Sequence, residues 1–183
     1  MKLVQIVIAL ATLWPASALG FDAGPATGSQ IPAIHATDSA GKPADLASIT
    51  GKNGVVLVFF RSAKWCPFCQ KQLIELREAQ TPLEARGYKL AAISYDPPEI
   101  LTQFATKQQI GYTLLSDKGS VTIDAFNLRD PQYDPSSFAY GVPRPSIFVI
   151  APNGKIKAKL AEEGHKIRPP VQAVIETVDG LGS

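Results

Sequence analysis

Apolar and polar positions follow two different rhythms along this chain. Residues 55–60 (Val-Val-Leu-Val-Phe-Phe) form an unbroken apolar run that opens after Gly54. A run of this kind, mostly β-branched or aromatic, predicts a strand covered on both faces. Beyond Cys66 the spacing becomes helical. Leu73, Ile74, Leu76 and Leu83 share one side, while Gln70, Lys71, Glu75, Arg77 and Glu78 take the other. Pro82 predicts a kink or break near Thr81, and Gly87 predicts the C-terminal stop. Residues 90–94 read as a second buried strand. Pro97-Pro98 suits the first turn of a helix that runs to about residue 109. A short strand at 112–115 and a helix at 119–126 follow.

Residues 127–142 are rich in Asp, Pro, Ser and Tyr and predict a loop long enough to be functional or mobile. A strand at 146–150, a turn at Pro152-Asn153-Gly154 and a partner strand at 155–160 predict a hairpin. Pro169-Pro170 opens a last helix that runs to about residue 178. Residues 43–50 predict no more than a helical turn, and 21–34 an irregular arm. The order, β-α-β-α and then α-β-β-α, implies parallel strands with crossover helices, followed by an antiparallel hairpin and a closing helix. The expected fold class is α/β, with a mixed central sheet flanked by helices.

The first residues have a different character. Met1-Lys2 is a short positive start, residues 3–14 are apolar apart from Gln5, and Pro15 precedes the small residues Ala16, Ser17, Ala18 and Gly20. This is the layout of a secretory signal peptide, and the apolar stretch is shorter than the roughly 20 residues a bilayer-spanning helix needs. Cleavage after Ala18 or Gly20 fits, the latter being favoured. The expected organisation is a leader at 1–20, an arm at 21–34 and one domain at 35–183, with a periplasmic or secreted location. Membrane association is expected only through an uncleaved leader.

Composition narrows the functional classes. Net charge is +2 and Lys and Arg form no run, so nucleic acid is not an implied partner. At 45% hydrophobic, 183 residues can build a core without covalent staples. The chain has two cysteines, Cys66 and Cys69. A secreted domain held by disulfides would carry more of them, widely spaced. The pair instead sits where a buried strand ends and a helix begins. Unpaired backbone N–H groups and the helix dipole stabilise a thiolate there. Two intervening residues allow a small disulfide ring.

The expected roles are Cys66 as the exposed nucleophile and Cys69 as the thiol that resolves a mixed disulfide. Pro67 suits the first helical turn, Phe68 places a ring between the thiols, and Trp65 is either an apolar docking lip or core packing. Structural zinc needs four ligands. Only His35 and His165 could complete a set with the cysteines, so no metal is expected, and no loop for an organic cofactor is present.

Residues 55–60 followed by Trp65-Cys66-Pro67-Phe68-Cys69 resemble the thioredoxin-like superfamily, and so does Gly141-Val142-Pro143-Arg144-Pro145-Ser146-Ile147-Phe148-Val149-Ile150 ahead of Asn153-Gly154. The resemblance runs from about Ile31 to the C-terminus and implies a thioredoxin-like three-layer sandwich. It also implies a cis-proline at Pro145 packed against the cysteines. The extra helix and the hairpin look like the redoxin branch, with its AhpC/TSA- and TlpA-like proteins. Typical peroxiredoxins of that branch carry Pro-x-x-x-Thr-x-x-Cys and a peroxide-orienting Arg. Here the matching positions hold Phe59, Ala63 and Cys66, and Pro145 stands at the Arg position beside Arg144. The buried Asp of thioredoxins matches Phe60, which leaves proton handling unassigned.

The resemblance therefore implies first a dithiol oxidoreductase that exchanges with protein thiols and disulfides, with reduction as the favoured direction. The alternative is a peroxidase with Cys66 as peroxidatic and Cys69 as resolving cysteine. A copper chaperone-like protein ranks below both, since those use Cys-x-x-x-Cys with a distant His. A partner reductase is implied because the chain has no third cysteine.

Overall fold

The computed structural model describes residues 23–162 and 164–182; the expected leader lies outside them. Among these residues no helix is long and apolar enough to cross a membrane. The elements are β1 (Ala36–Asp38), β2 (Pro43–Ala44), α1 (Leu46–Ile49), β3 (Gly54–Phe59), α2 (Pro67–Glu75), α3 (Arg77–Ala85), β4 (Tyr88–Ser94), α4 (Pro98–Gln108), β5 (Thr113–Ser116), α5 (Val121–Ala125), β6 (Ser146–Ile150), β7 (Ile156–Leu160) and α6 (Val171–Asp179). One seven-stranded sheet has the order β2-β1-β5-β4-β3-β6-β7. β3, β4 and β5 are parallel, while β6, β7, β1 and β2 join antiparallel. This is the expected mixed α/β sheet of the thioredoxin-like fold.

β3 lies mid-sheet and every residue of it is buried, which explains its continuous apolar run. The pleat divides its side chains. Val56 and Val58, with Phe60 beyond the strand end, enter one core with Leu73 (α2), Leu83 (α3), Leu101 (α4) and Val174 (α6). Val55, Leu57 and Phe59 enter the other with Ile49, Ile123, Phe126 and Phe148. Helices on both faces give the three layers. Gly54 opens β3 at φ 142°, against the Ile150 carbonyl and the Tyr88 ring, where a Cβ would collide.

Three local expectations are corrected. Residues 36–44 form a small hairpin, β1 and β2, where the sequence pattern offered no strand. Asp38 Oδ1 accepts the N–H groups of Ala40 and Lys42, both at 2.9 Å, and so builds the turn between them. The helix break falls at Leu76 and not near Thr81; Pro82 lies inside α3. The carbonyls released there find side chains: Leu73 O accepts Tyr112 Oη–H at 2.7 Å and Ile74 O accepts Arg77 Nε–H at 3.0 Å. Finally, no peptide bond among the described residues is cis, so Pro145 is trans. Trans is the intrinsically favoured isomer of an X-Pro bond. Arg144 N–H on Leu128 O at 2.7 Å carries the chain straight from the Arg129–Pro143 bridge into β6.

The segment from residue 23 runs beside β7. Gly28 N–H donates to Ile156 O, Ile156 N–H to Ser29 O, and Ile31 N–H to Gly154 O. The 127–142 loop is tied down as well, by Asp130 N–H on Val142 O and Ser120 Oγ–H on Gly141 O.

Candidate active site

The chain leaves β3 at Phe59 and must turn sharply before α2. Asp96, just past the end of the neighbouring strand β4, organises that turn. Its Oδ1 accepts Ser62 Oγ–H at 2.8 Å, and its Oδ2 accepts Ala63 N–H at 2.6 Å and Ser94 Oγ–H at 3.2 Å. Ser62 Oγ in turn accepts Lys64 N–H at 2.9 Å. Asp96 is buried. Burial pushes its carboxyl above the usual range, opposed by the donors from Ala63, Ser62 and Ser94.

Replacing Asp96 by Ala leaves the Ser62 hydroxyl and the Ala63 N–H without their acceptor, at an expected cost of about 1–3 kcal/mol in urea unfolding. A carboxyl raised in the folded state stabilises fully below its unfolded value, and that contribution is lost as pH rises through the folded one. The stability of the wild type relative to Asp96→Asn is therefore expected to increase as pH falls from neutral into the carboxylate range. Parallel pH profiles of the two would refute this.

Cys66 caps α2: its Sγ accepts Cys69 N–H at 3.2 Å, and Pro67 occupies the first turn. Cys66 and Cys69 form a disulfide with Cα atoms 5.2 Å apart. Cys66 is 2% exposed, not the surface sulfur expected from its place in the turn, and Cys69 is 0% exposed. Both belong to the apolar cluster against which Trp65 packs. Pro67 is exposed and Phe68 is 39% exposed, so the outer rim of the pair is apolar.

Trp65 is half-buried and held on three sides. Its Nε1–H donates to Tyr95 Oη at 3.0 Å, the Phe138 ring stands edge-on at 5.2 Å, and the Arg61 guanidinium lies 5.1 Å from its ring centre. Arg61 is buried; it also stacks over Tyr133 at 5.0 Å and hydrogen-bonds its hydroxyl.

A second guanidinium reaches the Cys69 sulfur from the segment before α6. Arg168 Nη2 lies 3.6 Å from Cys69 Sγ, while its Nε–H donates to Gln72 Oε1 at 3.0 Å and its Nη1–H to Ile167 O at 2.9 Å. Burial, with the nearby Arg61 charge, lowers Arg168 to about 10, which keeps it a cation at neutral pH. Burial and then the charges of Arg61, Lys166 and Arg168 push His165 below its usual value.

His165 lines a cavity of about 240 Å³ together with Asp130, Arg144 and Pro145. Arg144 Nη2–H donates to Asn127 O at 2.8 Å. His35 is exposed, and its backbone pairs with the Thr122 hydroxyl. Among the described residues no three His, Cys, Asp or Glu side chains gather as metal ligands.

The sequence model of the AhpC/TSA family matches residues 27–159. This chain belongs to the AhpC/TSA family. It is thus an oxidoreductase of the redoxin branch. Among curated relatives, peroxiredoxin Bcp of Escherichia coli strain K12 is 31% identical over 130 residues, covering 71% of this chain and 81% of that protein. The putative peroxiredoxin bcp of Haemophilus influenzae is 32% identical over 101 residues, 55% of this chain; the match spans 64% of that relative's length. Among solved structures, peroxidoxin BcpB from Mycobacterium tuberculosis superposes with a TM-score of 0.70 at 22% identity, covering 87% of this chain and 97% of that one. At that identity the likeness speaks for the fold.

Asp96, Arg61, Arg168, Gln72, Tyr95 and Tyr133 were not among the residues singled out by sequence pattern. Arg61 had a readable signal, lying between the buried strand and the cysteines. Arg168, 99 residues beyond Cys69, had none.

Proposed function

We propose that this protein is a thiol peroxidase in which Cys66 reduces a peroxide and Cys69 resolves the product. The observation that carries the proposal is the Cys66–Cys69 disulfide at the N-terminus of α2 in a member of the AhpC/TSA family; relatives named peroxiredoxin support it. This reverses the order of preference drawn from motif positions alone. The Cys66 thiolate attacks one peroxide oxygen, the O–O bond breaks, and the departing oxygen takes a proton as alcohol or water. Cys69 then displaces hydroxide from the Cys66 sulfenic acid, giving the disulfide and water. A reducing partner of dithiol type restores the pair. We place the protein outside the cytoplasm on the strength of its leader-like first 20 residues.

The test is stoichiometric. Reduced protein mixed with one equivalent of hydrogen peroxide should lose two thiols per peroxide, faster than free cysteine is oxidised. Oxidation no faster than that of free cysteine would sink the peroxidase reading.

A second reading, direct dithiol exchange with protein partners, is favoured by one feature. Phe59 and Ala63 hold the Pro and Thr positions of typical peroxiredoxins, and the Ala63 N–H is committed to Asp96, so no hydroxyl stands there to polarise the peroxide. Rapid reduction of an insulin-type protein disulfide, without peroxide turnover, would select it.

A further inference from the structure

The two sulfurs of the pair are supported unequally. Cys66 Sγ has a neutral backbone donor, Cys69 N–H at 3.2 Å. Cys69 Sγ has a cation, Arg168 Nη2 at 3.6 Å. The guanidinium is fixed in place by Gln72 Oε1 at 3.0 Å and Ile167 O at 2.9 Å. Gln72 is buried on α2, three residues after Cys69, so sulfur and anchor ride on the same helix. A planar guanidinium held in this way loses little freedom when it binds an anion. Charge-assisted hydrogen bonds are roughly twice as strong as neutral ones, and burial reduces screening. Charge on Cys66 has the N-terminal N–H groups and dipole of α2, whereas charge arriving on Cys69 has a full cation beside it.

We propose that Arg168 is a catalytic residue that makes Cys69 the leaving thiolate when the disulfide is reopened, so that the reductant bonds to Cys66. The reductant's thiolate sulfur bonds to Cys66 Sγ, the Cys66–Cys69 bond breaks, and its electron pair stays on Cys69 beside the guanidinium. A second thiolate of the reductant then attacks the mixed disulfide. It releases Cys66 as thiolate and leaves the reductant as a disulfide, having passed two electrons to the pair. A thiol of lower pKa leaves faster, so the cation sets which sulfur is attacked. This inference rests on the reading that the pair cycles between dithiol and disulfide, whichever substrate oxidises it.

Two measurements test it. In a Cys66→Ser background, the pH profile of Cys69 alkylation by iodoacetamide is compared for Arg168, Arg168→Gln and Arg168→Lys. Gln is expected to move the midpoint up by about one unit, roughly tenfold less thiolate at a pH below it, and Lys to restore most of the shift. A clamp with only a structural role would not be rescued by Lys in this readout; a midpoint unmoved by Gln overturns the proposal. In the oxidised wild type, limiting 2-mercaptoethanol followed by acid quench and alkylation should leave the adduct on Cys66 and the alkyl group on Cys69. Adduct chiefly on Cys69 overturns it as well. Neither measurement uses peroxide, so a protein inert toward peroxide leaves this result standing, and an unmoved profile leaves peroxide turnover standing.

Discussion

Serine at position 66 is expected to abolish peroxide turnover, by on the order of 10³-fold or more, as loss of a nucleophile does in enzymes that work through one. The oxygen of serine is protonated at neutral pH and cannot open the O–O bond, and no other thiol in the chain caps a helix. Serine at position 69 should behave differently. The first peroxide is still consumed, because Cys66 is intact, but the sulfenic acid has no partner and continues to the sulfinic acid with more peroxide. Peroxide consumption with a dithiol reductant reads the loss at Cys66, and the intact mass of the pre-reduced variants, treated with peroxide after the reductant is removed, separates the cases. Cys66→Ser, whose remaining thiol is buried, is expected to gain oxygen no faster than free cysteine does, and Cys69→Ser to gain one and then two. Equal residual activity in the two variants would deny the division of roles.

Phe59→Ala is expected to destabilise the protein by about 3–5 kcal/mol, the usual cost of emptying a buried phenylalanine site. Phe59 is fully buried. Its ring lies 4.8 Å from that of Phe126 and 5.8 Å from that of Phe148, and those two lie 5.7 Å apart. The three rings belong to the buried core on one face of the sheet. The measurement is a urea midpoint; a loss below about 1 kcal/mol would mean the cluster collapses around the gap far more completely than such sites do. The backbone at Phe59 is equally committed, since it pairs with Ile93 in parallel and with Ser146 antiparallel. A proline there, as in typical peroxiredoxins, would remove a ladder donor from a central strand. Phe59 therefore belongs to packing, and the departure from the peroxiredoxin pattern is built into the sheet.

What could be read from the sequence, and what could not, follows from the range of the interactions. β3, β6 and the start of α2 were legible because continuous apolar runs and a Pro after an N-terminal cap are local signals. β1 and β2 were not, since three residues and two residues are too short to show any period; a side chain in their turn, Asp38, and pairing to β5 make them. The break at Leu76 escaped because Tyr112, far along the chain, is what satisfies it. The two cysteines were found and placed at a helix start, yet their burial depends on packing that no motif encodes. Asp96 was missed because it lies just past the neighbouring strand, 33 residues from the Ala63 N–H it accepts, and Arg168 because it comes from the other end of the domain.

Trp65 carries a consequence of its own. The chain has two tryptophans, and the other, Trp14, lies in the leader-like segment. The indole next to Cys66 is gripped by Tyr95, Phe138 and Arg61, from three separate parts of the chain. The ring packs against the cluster that holds the disulfide, a quencher that reduction removes. In a chain lacking residues 1–20, the tryptophan fluorescence of the folded protein is expected to serve as a single-site optical gauge of its oxidation state, with no label to attach.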